Sequence, residues 1–261
     1  MKKPLLDVVF SSRKRRDTLI LLQEAPQEMD YLLKSLDTNR QALLPQVKIL
    51  EKHYLVTKSD DVYELTKIGK LIVDEVKPLL DTVSVFDSDI EYWGTHDLNF
   101  IPPYLLKRLH ELSPCKVISK ISPAQLYEPS ENVIEKAKHS KVQTSVTTFL
   151  FPNFASILKD FTKNGVKMRL IVTQKLLSKI RDEMEEIRFL LNNGNHEVFL
   201  YSKEMNFASF GTNDFCFMAR ALTKKGEYDM KYIMSCEPSA IQWGNELFEY
   251  YLKDSIPISD V

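Results

Sequence analysis

Two sets of residues in this sequence have the types and spacing to do chemistry. In the first, Arg13-Lys14-Arg15-Arg16 is a run of cations suited to neutralising phosphates, and Gln41, Pro45, Lys48 and Lys52 recur at intervals of three and four. At about 100° per residue those four share one helix face. Gln pairs bidentately with adenine in a major groove, Lys meets phosphates, and a proline ring suits a thymine methyl. The second set is His139-Ser140-Lys141, a single His-x-Lys. A two-histidine phosphodiesterase cycle needs two such motifs, one His as nucleophile and one as general acid, each with a following Asp. Val146 stands where the Asp would fall, and His53, His96, His110 and His196 are not followed by Lys two residues on. No P-loop, Gly-x-Ser-x-Gly, Gly-x-Gly-x-x-Gly or metal-ligand cluster accompanies them, so no catalytic residue, metal or cofactor is expected.

The elements around the first set fix its meaning. A helix opens at the basic cluster, carries Leu19, Ile20 and Leu22, and is broken by Pro26. Glu28–Leu36 reads as a short second helix, and Asp37-Thr38-Asn39 supplies turn and cap chemistry. Asn39–Lys52 is the third helix, with Leu43, Val47 and Leu50 on the face opposite Gln41, Pro45, Lys48 and Lys52. Pro45 is expected near its first turn, where a missing N–H costs nothing. Leu55–Lys58, the turn Ser59-Asp60-Asp61 and Val62–Leu65 form a hairpin. Helix, short helix, longer helix and hairpin in this order form a winged helix-turn-helix, a module that reads double-stranded DNA. Arg13, Arg15, Arg16, Arg40, Gln41, Pro45, Lys48, Lys52 and Lys58 are its candidate DNA-binding residues.

Length and charge agree with this division. A chain of 261 residues suits two domains, and 44% hydrophobic with 27% charged residues is an ordinary globular composition. Net charge is −1, yet residues 1–58 hold 11 Lys and Arg against 7 Asp and Glu, which leaves an acidic remainder. No apolar run approaches a membrane span and no export signal opens the chain, so a cytoplasmic protein without membrane contact is expected. Cys115, Cys216 and Cys236 are odd in number and lack C-x-x-C spacing; free thiols are the simplest expectation.

After the hairpin, Ile68, Leu71, Ile72, Val76 and Leu79 mark a helix that pairs two copies or packs on its own domain. The expected domains are 1–80, a helical linker over 81–112, and an α/β domain over 113–261. Strands are expected at Lys116–Ser119, Val142–Leu150, Val166–Thr173, Glu197–Tyr201, Phe207–Gly211, Phe215–Ala221 and Met230–Cys236. Helices are expected at Glu131–His139, Pro152–Lys163, Gln174–Asn192 and Pro238–Lys253. Strands separated by helices, then strands joined by short turns, imply a mixed sheet.

Arg13–Arg16, Ala42-Leu43-Leu44-Pro45-Gln46 and Tyr63–Gly69 resemble the winged-helix half of archaeal transcriptional regulators of the methanogenesis-regulator (Fil-type) family. Tyr92–Leu98 with Ile101-Pro102 is similar to its connecting segment, and Trp243–Tyr251 to its C-terminal helix. The resemblance implies a homodimeric, DNA-binding regulator whose α/β domain has a phospholipase-D-like fold without phospholipase activity. Related sensor domains bind small effectors, which implies an effector here. Tyr54 departs from the pattern, since a glycine often precedes the wing strand, and implies a looser turn.

Ligands of open α/β sheets sit beyond the carboxyl ends of the strands. Thr147, Thr148, Thr173 and Gln174 occupy such ends, and Asn213-Asp214 is expected in a turn nearby. Hydroxyls and amides there suit a small polar effector, and equally suit backbone capping. The competing functions are a phosphodiesterase-type enzyme with an accessory helix-turn-helix and a protein–protein interaction module.

Overall fold

The computed structural model describes residues 3–119 and 131–261, and the chain divides into two compact units, Met1–Leu80 and Asp81–Val261. The first contains α1 (Leu5–Phe10), α2 (Arg13–Glu24), β1 (Gln27–Glu28), α3 (Met29–Ser35), α4 (Arg40–Lys52), β2 (Val56–Ser59), β3 (Val62–Leu65) and the first part of α5 (Lys67–Asp87). Asn39 caps α4 by accepting from the Ala42 N–H at 2.9 Å. Leu43, Val47 and Leu50 of α4 are buried with Leu19, Leu22 and Leu32. This is the arrangement of a winged helix-turn-helix, with a three-stranded sheet ordered β1-β3-β2 as the wing.

Several local expectations change here. Pro45 is the sixth residue of α4 and not within its first turn, so the Gln41 carbonyl lacks an intrahelical partner. Gln41 is exposed, so water can take that role. Asp60 and Asp61 both have left-handed φ, 53° and 86°, the backbone of a tight two-residue hairpin turn. Tyr54 adopts φ 60°, the left-handed position that follows a helix end, and the Leu55 N–H returns to the Leu50 carbonyl at 3.0 Å. The turn is therefore tight without glycine. Gly69 is required by space: a Cβ there would run into the Leu55 carbonyl.

The second unit holds α6 (Ile90–Thr95), α7 (Pro103–Leu106), a 3₁₀ turn Leu109–Leu112, β4 (Lys116–Ser119), α8 (Glu131–Ala137), β5 (Val142–Thr147), α9 (Phe154–Asn164), β6 (Lys167–Thr173), α10 (Gln174–Glu183), α11 (Glu185–Asn193), β7 (Glu197–Tyr201), β8 (Phe207–Thr212), β9 (Phe217–Ala221), β10 (Lys231–Ser235), α12 (Pro238–Leu252) and β11 (Ser255–Ile258). Its eight strands among the described residues run β11-β7-β6-β5-β8-β9-β10-β4. β5, β6 and β7 are parallel, joined by the helical crossovers, and the remaining pairs are antiparallel. One face packs on α9–α11 through Leu158, Phe161, Leu170, Leu176 and Ile180. The other packs on α12 and the segment from Val85 to Leu112 through Trp243, Phe248, Tyr92 and Leu105. Trp243 donates to the Leu105 carbonyl at 3.0 Å and Tyr251 to the Phe100 carbonyl at 2.8 Å.

Those two bonds explain why 81–112 is no linker: its Tyr92, Trp93, Phe100 and Ile101 are part of the second unit's core. The helix expected over Gln174–Asn192 is two helices, because Met184 leaves helical geometry with ψ 58°. The strand expected to reach Leu150 ends at Thr147, where the Thr147 hydroxyl turns back onto Phe149. Strand β11 was not expected; its Pro257 is tolerated because β11 is an edge strand. Cys216 and Cys236 are bridged, not free, with S–S at 2.02 Å. The Phe217↔Ser235 register between β9 and β10 sets these two residues opposite one another just past the strand ends. Cys115 is a buried thiol.

Candidate nucleic-acid interface and effector pocket

The outer face of α4 is open. Gln41, Pro45, Lys48 and Lys52 are all exposed and fall within an arc of about 60°. Among the described residues no carboxylate lies within 4.0 Å of Lys48 or Lys52. The other candidate cations are engaged. Arg13 and Arg16 both meet Asp17, at 3.3 and 2.9 Å, while Lys58 and Arg40 meet Asp61 at 2.8 and 3.8 Å. The Lys58 ammonium holds the Asp61 carboxyl below its ordinary range, and Asp61 raises Lys58 in turn. Such exposed pairs are weak and exchange readily for phosphate oxygens.

Arg15 requires correction. It is 5% exposed and faces inward: its guanidinium donates to the Val8 carbonyl, to the Asp7 carbonyl at 3.0 Å and to Gln46 Oε1 at 2.7 Å. Asp7 and Val8 lie in the last turn of α1, where the Asp7 carbonyl already accepts the Ser11 N–H at 3.1 Å and the Val8 carbonyl is taken up by Arg15. Arg15 therefore closes the end of α1 and ties it to α4; it is not a phosphate contact.

The six effector candidates do not form one site. Thr148, Thr173 and Gln174 line an open groove of about 680 Å³ at the carboxyl ends of β5 and β6. Thr147, one residue before, lines a second cavity on the α9 face of the sheet. Asn213 and Asp214 lie at the other end of β5: β8 is antiparallel to β5, so the turn after it returns to Lys141, whose N–H donates to Asp214 at 2.8 Å. Seven residues of strand and its end separate Lys141 from Thr148, roughly 20 Å. Most of their polar groups already serve the backbone. Thr148 donates to the Ala208 carbonyl, Thr173 caps α10 at Leu176, and Asn213 Oδ1 accepts from Phe215 and Cys216.

The second cavity holds what the sequence reading missed, Ser209 and Arg220, both buried. The available signal was a lone arginine inside the otherwise apolar run Phe215–Ala221. His139 is exposed past the end of α8, and among the described residues no group of three metal-ligating side chains occurs. No helix among them is long and apolar enough to cross a membrane.

A winged helix-turn-helix whose α4 presents an outward polar and cationic face, followed in sequence by a mixed α/β unit, defines the class of this chain. Residues 6–88 match the model of the HVO_A0261 N-terminal domain, and residues 126–254 match the middle domain of the methanogenesis regulatory protein FilR1. The chain is thus similar to the methanogenesis-regulator, or Fil-type, family, through a model that covers just under half of it. It is 24% identical to FilR1 of Methanothrix harundinacea (strain 6Ac) over 255 residues, 95% of this chain and 56% of that protein, and so spans about half the relative's length. Among solved structures it is similar to TrmBL2, an archaeal chromatin protein, with 13% identity over 97% of each chain and a TM-score of 0.44. The phosphatidylserine synthase of Haemophilus influenzae Rd KW20 matches 56% of this chain and 40% of its own, with 14% identity and a TM-score of 0.40. At these TM-scores neither likeness decides the fold.

Proposed function

We propose that the protein is a DNA-binding transcriptional regulator, in which α4 reads double-stranded DNA and the second unit binds a small effector. The observation that carries this reading is the outer face of α4, where Gln41, Pro45, Lys48 and Lys52 are exposed together and the opposite face is buried. The match of residues 126–254 to the middle domain of the regulator FilR1 supports it. Arg13, Arg16, Arg40 and Lys58 flank that face and supply phosphate contacts by exchanging their carboxylate partners.

The protein acts as a homodimer in the cytoplasm. Ile68, Leu71 and Leu79 of α5 are exposed, Leu71 to 70%, and span an arc of about 80° suited to a second copy. The second unit is a phospholipase-D-like fold that has lost catalysis, a reading supported by the single, exposed His139 and the valine at position 146. The effector acts through differential affinity for two dimer geometries, and the coupling to DNA is reciprocal.

The test is a binding titration on fragments selected from the source genome at several salt concentrations. Gln41→Ala should relax sequence preference, by about 1–3 kcal/mol at one base pair. Lys48→Ala should weaken all sequences alike and lower the salt slope by about 1. Unchanged preference and unchanged salt slope in both variants would remove α4 as the reading helix.

A further inference from the structure

Thr147 on β5, Ser209 on β8 and Arg220 on β9 form a cross-strand row, since Thr147 pairs with Ser209 and Ser209 with Arg220. All three line the cavity of about 100 Å³ on the α9 face of the sheet. Its remaining wall is largely apolar: Phe149 and Phe151 after β5, Phe154 and Ile157 of α9, and Met218. Gly211 and its neighbour in register, Ser145, also line it.

Arg220 is unusual in this setting. It is 5% exposed, and its Nη2 has no hydrogen-bond partner. Its guanidinium lies 5.0 Å from the Phe151 ring centroid and 4.8 Å from that of Tyr232, and the Tyr228 phenol is its polar neighbour. Among the described residues no carboxylate lies within 4.0 Å of it. Arginine does not discharge in proteins, so burial cannot be relieved by losing the proton. Ring faces offset part of the cost of a buried cation, but a fixed anion offsets more. Ser209 Oγ, in register beside it, is likewise buried without a partner. Two buried, unsatisfied polar groups in one cavity call for a missing partner.

We infer that this cavity is a binding site for a small monocarboxylate with an apolar body, whose carboxylate is held by Arg220 Nη2 and the Ser209 hydroxyl. One guanidinium and one hydroxyl match a single negative charge, and the phenylalanine wall matches an aliphatic or aromatic body. A phosphate dianion would need more donors than the site provides. The inference rests on the reading of the second unit as an effector domain and names the effector's chemistry.

The experiment is thermal shift and calorimetric titration of the full chain with sodium butyrate, hexanoate and benzoate, beside their neutral amides and inorganic phosphate at matched ionic strength. At least one carboxylate should bind and raise the melting temperature, whereas its amide and phosphate should not. Arg220→Met should abolish binding, and Ser209→Ala should weaken it about tenfold, as expected for a hydrogen bond to a charged group. If Arg220→Met does not fold, the acid–amide comparison and Ser209→Ala decide alone. Equal binding of acid and amide, preference for phosphate, no binding by any carboxylate, or binding unchanged in either variant overturns the inference. DNA titrations separate the two levels. Carboxylate binding that depends on Arg220 but leaves DNA affinity unchanged keeps the site and removes the effector role. A neutral metabolite that shifts DNA affinity, with no carboxylate bound, keeps the effector role and removes the site.

Discussion

Replacing Arg15 by Ala separates a packing role from a phosphate contact. The side chain holds two carbonyls at the end of α1, those of Asp7 and Val8, together with Gln46 of α4. After truncation Gln46 keeps the Ser12 hydroxyl as a donor, and the Asp7 carbonyl keeps the Ser11 N–H. The Val8 carbonyl belongs to a fully buried residue and loses its side-chain partner outright. An unsatisfied buried group costs about 1–3 kcal/mol, and the weakened Asp7 and Gln46 contacts add to it. Roughly 3 kcal/mol for the first unit corresponds to a fall of about 10–20 °C in its melting. Hydrogen exchange of the full chain, read on peptides from α1 and α2, should show lost protection there and none lost at α12. Arg15→Lys keeps the charge but not the fork of donors, so it should lie between the two. Native protection in Arg15→Ala, combined with uniformly weaker DNA binding and a flatter salt slope, would refute the packing argument and return Arg15 to the phosphate set.

Two further expectations follow from the same geometry. Leu71→Asp with Leu79→Asp on the exposed face of α5 should convert a dimer of about 60 kDa by light scattering into the 30.3 kDa chain, with helix content retained; an unchanged mass would place the dimer contact elsewhere. His196 is held below its ordinary pKa by burial, and its Nδ1 accepts the Met168 N–H at 3.3 Å, which requires the neutral ring. The unfolded chain then binds the extra proton first, so stability is fully present above the ordinary histidine pKa of about 6.5 and is lost as pH falls below it toward the lower folded-state value. Melting of the second unit should drop between pH 7.5 and 5.5, and His196→Gln should flatten that drop; an equal slope in the variant would remove His196 as its source.

The sequence by itself determined the winged unit, because its signals are local. The cap at Asn39, the buried Leu43, Val47 and Leu50 at helical spacing, and the hairpin around Asp60-Asp61 each act within a few residues. Their outward face, Gln41 to Lys52, follows from the same period. Arg15 escaped that logic, since a basic run gives no sign of which member turns inward; two α1 carbonyls decided it. In the second unit the period of the strands was legible, and their partners were not. Placing Asn213-Asp214 beside Thr148 requires knowing whether β8 runs with β5 or against it, and only long-range pairing settles that direction. The same holds for Cys216 and Cys236, brought together by the register of β9 and β10 across 20 residues of sequence. Arg220 and Ser209 are far enough apart in the chain that neither implies the other. They become neighbours because antiparallel pairing sets them side by side on one face, and their cost is visible only once burial removes the water that would otherwise satisfy them.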